Sequence, residues 1–362
     1  MQMDKKKRRA MQKKKQIRRR IIFGAILIVL IASGVSIYAH ERNTDKDTKT
    51  ATIQQDQSKQ KNTSEETKQE APKPTDIMPG QNIIYAANSY AVPANDVYRM
   101  INTGDKVNDE KEVFLTFDDG PSENTSNILK ILKEENVHAT FFVLGSQLKN
   151  NPKNQQLLKD EIDSGNALAN HTMSHDYRIL YPGNSVNVTR FMNEINENNE
   201  QMKEILGQNF NTRVLRMPGG YMSRKYYNDP NLKKLNAAMN KEGILSIDWD
   251  AETGDAESNT YSVEYLISRA RRSLNQKHVV LLMHDAAAKK STVKALPSII
   301  KMYKENGYKF KVIKNAPMSY FKSENKAQTS TKQTSVSASN SSNAQTTATE
   351  NEINSSADTT TK

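Results

Sequence analysis

The sequence predicts an α/β fold built on a parallel sheet, open or closed into a barrel. Two observations carry that prediction. Between residues 111 and 320, seven apolar runs of strand length alternate with six stretches of helical period, the pattern of repeated βα units. The residues with the most chemistry, Asp118, Asp119, His171, His175, Arg216, Asp255 and His284, fall where those runs end. Ligands and reactions gather at the C-terminal ends of strands in such folds.

The chain changes character before it reaches that region. Residues 1–20 hold eleven of the 52 Lys and Arg against one acid, Asp4, leaving 41 basic and 40 acidic side chains in the rest. The formal charge of +11 therefore belongs to the N-terminus, and the near-neutral body gives no basis for nucleic-acid binding. Ile21 to about Tyr38 is an uncharged, largely apolar run of roughly bilayer-spanning length. The basic cluster before it places residues 1–20 in the cytoplasm, against anionic head groups, and everything after His40 outside. An uncleaved single-pass anchor over residues 21–40 of the cell membrane is expected. A cleaved signal peptide is the competing reading, but the run is long for one and Ile37-Tyr38-Ala39 is a poor small-x-small site.

Residues 41–76 are polar and charged with almost nothing apolar, so they read as a disordered linker spanning roughly 30–35 Å rms. Residues 77–110 are unassigned, with Ile83-Ile84-Tyr85 and Tyr90-Ala91-Val92 as candidate short strands or a collar. The expected strands are then Val113–Phe117, Ala139–Val143, Ala167–Ala169, Val214–Met217, Ile244–Ile247, Val279–Met283 and Phe310–Ile313. Helical stretches sit between them at Thr125–Glu135, Asn154–Asp163, Val188–Leu206, Asn231–Lys241, Ser262–Leu274 and Thr292–Glu305. From Phe321 to Lys362 the chain is Ser, Thr, Asn and Gln-rich without apolar periodicity, a second disordered tail.

There are no cysteines, which excludes disulfides and thiolate metal sites, so any transition metal must use His and carboxylate ligands. Val113–Phe117 climbs into Asp118 and Asp119 and then a Gly-Pro breaker, delivering two acids to the rim of the sheet. His171 and His175 are spaced i, i+4, which on a helical turn would bring both imidazoles to one ion. Thr172 stands where a zincin helix carries Glu, so the missing carboxylate must come from Asp118 or Asp119. Arg216 ends another strand just before Pro218, Gly219 and Gly220, and reads as a guanidinium that fixes a carboxylate beside a free backbone N–H, or as a plain salt bridge. Trp249 to Asp255 carries three acids and the only Trp, and a wholly apolar run delivers His284, with Asp285 as partner or loop start.

Taken in order, TFDDGP at 116–121, HTMSH at 171–175, RMPGG at 216–220, EtgD at 252–255 and LMH at 282–284 resemble the five motifs of the polysaccharide deacetylases. These are the NodB-homology domain, or carbohydrate esterase family 4. The resemblance covers about residues 111–320. It implies a deformed (β/α) barrel of about seven parallel strands and a divalent metal, usually zinc with cobalt or another ion as alternatives, on Asp119, His171 and His175. It also implies Asp118 as general base, Arg216 as the partner that aims it, and the Gly219 N–H as an oxyanion donor. His284 would protonate the departing amine, with Asp255 orienting it and raising its pKa. Leu282 would line the acetate pocket, with Pro218, Tyr221 and Trp249 around the substrate. Two positions depart from the family pattern: Ala256 follows Asp255 where a Trp is usual, and Gly219 stands where an aromatic is frequent.

The expected activity is metal-dependent removal of the acetyl group from N-acetylglucosamine units of a cell-wall polymer, peptidoglycan above all. Deacetylation of another surface polysaccharide, N- or O-linked, or a non-catalytic wall-binding module are the alternatives.

Overall fold

The computed structural model describes residues 71–103 and 107–322. The basic segment, the apolar run at 21–40, most of the linker and the tail beyond Lys322 lie outside the described residues. Among those described, no helix is long and apolar enough to cross a membrane.

In chain order the strands are Ala91–Pro93 (β1), Glu112–Asp118 (β2), Thr140–Val143 (β3), Ala167–Asn170 (β4), Val214–Leu215 (β5), Leu245–Ser246 (β6), Ala251–Glu252 (β7), His278–His284 (β8), Lys309–Phe310 (β9) and Val312–Lys314 (β10). The helices are Ala94–Asn102 (α1), Thr125–Glu134 (α2), Gly145–Leu148 (α3), Pro152–Asp163 (α4), Tyr177–Leu180 (α5), Val188–Leu206 (α6), Tyr221–Tyr226 (α7), Leu232–Glu242 (α8), Val263–Arg271 (α9) and Lys290–Glu305 (α10). The main sheet runs β6-β5-β4-β3-β2-β8-β7, with β9 also pairing β2, and its ladders are parallel. The two ends of this sheet are halves of one segment. Ile247 N–H donates to Leu215 O (2.8 Å) on one side, and Asp250 N–H to Val280 O (3.3 Å) on the other. The fold is a parallel (β/α) half-barrel whose ends are joined through residues 247–250.

The expected parallel α/β class is present, with two differences. The strand foreseen at Ile244–Ile247 is β6, and a further strand that was not foreseen, β7, follows five residues on and pairs with β8, not β5. The run at Phe310–Ile313 is split in two: β9 joins β2, and β10 pairs with β1. Period-two alternation sorts the side chains. Phe114, Phe142, Ala169, Val214, Ile247 and Val280 fill the concave interior. Val113, Leu115 and Phe117 face outward onto Ile128, Leu158 and Ile299 from the covering helices.

Residues 77–93 form a collar. Ile84 makes only a bridge to Ile77, and Tyr85–Ser89 is a 3-10 turn. Asn82, fully buried, donates to Leu168 O and Ile313 O (3.0 Å each) and accepts from Asn315 N–H (2.9 Å). Ala86 N–H donates to Pro74 O (2.8 Å), and Phe321 is buried in one apolar cluster with Ala94 and Val97.

Candidate active site

The longest ladder positions the first two groups. β2 and β8 pair residue for residue from Glu112 and His278 to Asp118 and His284, so the Asp118 carboxyl and the His284 imidazole stand side by side at the strand ends. Alternation turns Asp118 inward after Phe114 and Thr116, and it is buried. Asp119 has φ +73°, a left-handed backbone uncommon for a residue with a Cβ. That turn brings its carboxyl to the same side as its neighbour's, where a continuing strand would send it away. Asp285 pins the loop that follows, accepting from Ser122 Oγ (2.9 Å) and Thr125 Oγ1 (2.5 Å).

The two histidines do meet, but not on a helical turn. Residues 171–175 form a loop in which Thr172 (φ +69°) and His175 (φ +53°) are both left-handed. Neighbours hold this loop open. Asn170 Oδ1 accepts from Thr172 N–H (2.7 Å), Asn198 Nδ2 donates to Thr172 O (2.9 Å), and Glu194 accepts from both Ser174 N–H and Ser174 Oγ. The His171 Nδ1 lies 2.8 Å from Arg216 O, and a carbonyl only accepts, so Nδ1 carries a proton and Nε2 is the atom turned to the carboxylates. Burial first, and then the His171 imidazole, pull His175 below the ordinary histidine range. Asp119 Oδ1 lies 3.6 Å from His171 Nε2 and 3.9 Å from His175 Nε2, and one donor atom from each residue falls within 4.8 Å of the others. Two imidazoles and a carboxylate converging at that spacing would suit a divalent transition ion. Asp118 borders this cluster, its Oδ2 3.8 Å from His171 Nε2.

Arg216 is fully buried, and each of its three guanidinium nitrogens donates. Nε donates to Ile247 O (3.0 Å), Nη2 to Asp248 O (3.0 Å), and Nη1 to both Thr116 Oγ1 and Asp118 Oδ1 (2.8 Å each). Its plane lies 4.0 Å from the centre of the Phe142 ring. The next turn has Gly219 at φ +76° and Gly220 at φ +81°. A Cβ at Gly219 would meet only the movable tip of the Tyr177 side chain, so Gly219 is held to glycine by its φ, whereas one at Gly220 would fall 2.9 Å from the Trp249 ring and is excluded by close approach as well. Gly219 is exposed, and its N–H has no acceptor among the described residues.

Opposite Arg216 stands the second pair. His284 Nδ1 is 2.9 Å from Asp255 Oδ1, and the other carboxylate oxygen accepts from His284 N–H (2.9 Å) and Thr292 Oγ1 (2.8 Å). Burial alone would lower the His284 pKa; the Asp255 hydrogen bond and charge, with the charges of Asp118 and Asp119, outweigh it and raise it to about 9. Burial likewise pushes Asp255 up, but its bonds to His284 and Thr292 hold it below the ordinary carboxylate range. Glu252, the other acid of that motif, turns away to Arg269. The arrangement thus has a carboxylate base fixed by a buried cation, a cationic imidazole acid fixed by a buried anion, and a metal-ready donor set beside them.

The outlying residues are distributed differently. Leu282 shares the inward face with His284 and is buried. Pro218 is buried, its carbonyl accepting from Tyr181 Oη (3.0 Å). Tyr221 is directed to α8, where its hydroxyl accepts from Asn236 Nδ2 (2.8 Å). Trp249 packs against Gly220 and lies 5.6 Å from Arg216 Cζ, supporting the turn. Thr116, Asn170, Glu194 and Asn198 were not singled out by sequence. Their signal was polarity in apolar places, Glu194 and Asn198 lying on the stripe of Phe191, Ile195 and Met202.

Comparison with known proteins agrees with this geometry. The family model described as Polysaccharide deacetylase matches residues 105–238, a span that includes Asp118 to Arg216 but stops short of Asp255 and His284. The chain is 30% identical over 207 residues to a peptidoglycan-N-acetylglucosamine deacetylase of Bacillus cereus, covering 56% of this chain and 69% of that one. It is 28% identical over 205 residues to the peptidoglycan-N-acetylmuramic acid deacetylase PdaA of Bacillus subtilis, covering 56% and 70%. A solved CE4 esterase of Streptococcus mutans superposes with a TM-score of 0.60 at 36% identity, covering 67% of this chain and 99% of that one. The chain belongs to the polysaccharide deacetylase family, the NodB or CE4 domain.

Proposed function

We propose that the domain is a divalent-metal-dependent N-deacetylase acting on N-acetylglucosamine units of peptidoglycan. The observation that carries the reading is the pair of oppositely biased dyads, Asp118 with Arg216 and His284 with Asp255, on register-paired strand ends around one donor set. Asp119, His171 and His175 would hold the ion, zinc by preference, which when bound polarises the acetyl carbonyl and acidifies water. Asp118, aimed by its hydrogen bond from Arg216, takes the proton from the attacking water. The Gly219 N–H is free to donate to the oxygen that gains charge. His284, cationic at neutral pH, gives its Nε2 proton to the departing amine, because an amide anion does not leave unaided. Leu282 offers an apolar wall to the acetyl methyl.

The glucosamine polymer is supported by the name of the Bacillus cereus relative; that of the Bacillus subtilis relative points to the muramic acid unit as the competing position. Residues 1–20 and 21–40 support anchoring in the cell membrane with the domain outside, within tether reach of a wall.

The test uses the full-length protein, stripped of metal and reloaded with zinc or cobalt. Acetate release from isolated peptidoglycan and from N-acetylglucosamine oligomers is expected, with Asp118→Asn and His284→Ala each lowering kcat about a hundred- to ten-thousandfold. A folded, metal-loaded protein that releases no acetate from any acetylated glycan would sink the reading. Mapping the freed amine to glucosamine or muramic acid decides the position.

A further inference from the structure

Tyr177 opens α5, two residues past His175, and the reaction described above gives it no task. Its surroundings hold the ring in a definite place. The ring stands edge-on to the His175 imidazole, 5.6 Å between centres, and packs against the Tyr181 ring at 5.4 Å. Tyr181 is itself fixed: it is buried, its hydroxyl donates to Pro218 O (3.0 Å), and Arg224 Cζ lies 4.6 Å from its ring centre. The single turn of α5 is thereby fastened to the backbone turn that carries Gly219.

The far end of Tyr177 reaches that same turn. Its hydroxyl oxygen lies 2.4 Å from the point where a Cβ on Gly219 would stand, so it occupies a space that glycine leaves open. Two donors then share one opening beside the metal ligands. The Gly219 N–H has no acceptor among the described residues, and among them the Tyr177 hydroxyl makes no hydrogen bond either. Tyr177 is 44% exposed, so water serves its hydroxyl at rest and a reacting oxygen can take the water's place.

We propose that the Tyr177 hydroxyl is a second oxyanion donor, acting with the Gly219 N–H on the acetyl oxygen as that oxygen gains charge. A phenol keeps its proton at neutral pH and is a donor there. Its hydrogen bond to an anionic oxygen is stronger than one to a neutral carbonyl, so the contact tightens in the transition state and raises kcat. The ring supplies position, through His175 and Tyr181, and the hydroxyl supplies the chemistry. The proposal rests on the deacetylase reading and adds a side chain to its machinery.

The experiment compares full-length, zinc-loaded wild type with Tyr177→Phe, which keeps the ring and removes only the oxygen. Acetate release from N-acetylglucosamine oligomers is expected to show kcat lowered about a hundredfold, with KM and the unfolding midpoint held. Calorimetric titration of methylphosphonate, whose anionic oxygens are tetrahedral, should show binding weakened about tenfold in the variant. Zinc affinity in a chelator titration should match wild type. A variant with wild-type kcat overturns the donor, since a tyrosine serving only as an apolar surface is replaced by phenylalanine without loss. A variant whose zinc affinity falls as far as its kcat overturns it too, by placing the effect in the metal ligands. Hydroxyl-dependent phosphonate binding in a wild type that releases no acetate overturns the deacetylase reading and leaves the donor standing.

Discussion

Arg216 and His284 show how single residues acquire their chemistry from partners. Arg216 is a fully buried cation whose charge is balanced by Asp118, so removing it strands a buried carboxylate. Arg216→Met is expected to cost about 3–5 kcal/mol of stability in urea denaturation, besides abolishing activity. Arg216→Lys retains the charge but cannot reach Ile247, Asp248, Thr116 and Asp118 together, and should lose most of the activity too. His284 is the pH-sensitive member. Its pKa of about 9 in the folded protein lies above the ordinary histidine value, so its acid form is lost, and kcat falls, as pH rises through about 9. Asp255→Asn removes the charge that opposes burial, and the descending limb of kcat against pH should shift to lower pH. The stability that the pair contributes follows the same sign: complete below the ordinary histidine value, and lost as pH rises through the raised one. Their placement at strand ends was legible in the sequence, because the apolar runs and the motif spacing point to it. Their sense was not, since the proton on His171 Nδ1 depends on the carbonyl of a residue 45 positions away.

Among the elements, the long ones were readable and the bends were not. α6 covers the expected Val188–Leu206, and the other five foreseen helices lie within a few residues of their apolar periods, because several turns of one stripe leave little choice. The nine-residue α1 was not foreseen. α3, α5 and α7 are four to six residues long, too short for a period to register. The histidine loop is the instructive case. An i, i+4 pair suggests a helix, yet left-handed φ at Thr172 and His175 brings the imidazoles together without one. That conformation is imposed by α6, through Glu194 and Asn198. Glu194→Ala should therefore weaken zinc binding about 10- to 100-fold in a competitive chelator titration. Glu197→Ala, exposed on the same helix, should leave it unchanged.

For the molecule as a whole, the least legible part was the collar. Residues 77–93 give no period, and their worth lies in contacts with the far end of the chain: Asn82 and Ile313 are 231 residues apart. Asn82→Ala would leave two carbonyls and an N–H buried without partners, at a cost on the order of 3 kcal/mol in chemical denaturation. The half-barrel's closure has a reach of its own. The backbone at 247–250 fastens both ends of the sheet, and Ile247 O and Asp248 O are also the acceptors that seat Arg216. One latch thus serves both the container and the trigger. Any fluctuation that springs it also unbuckles the guanidinium from Asp118, so under the proposed mechanism activity is lost while the helices outside are still packed. Under mild denaturant, amide exchange at Ile247 and Asp250 should quicken in step with lost activity, ahead of global unfolding.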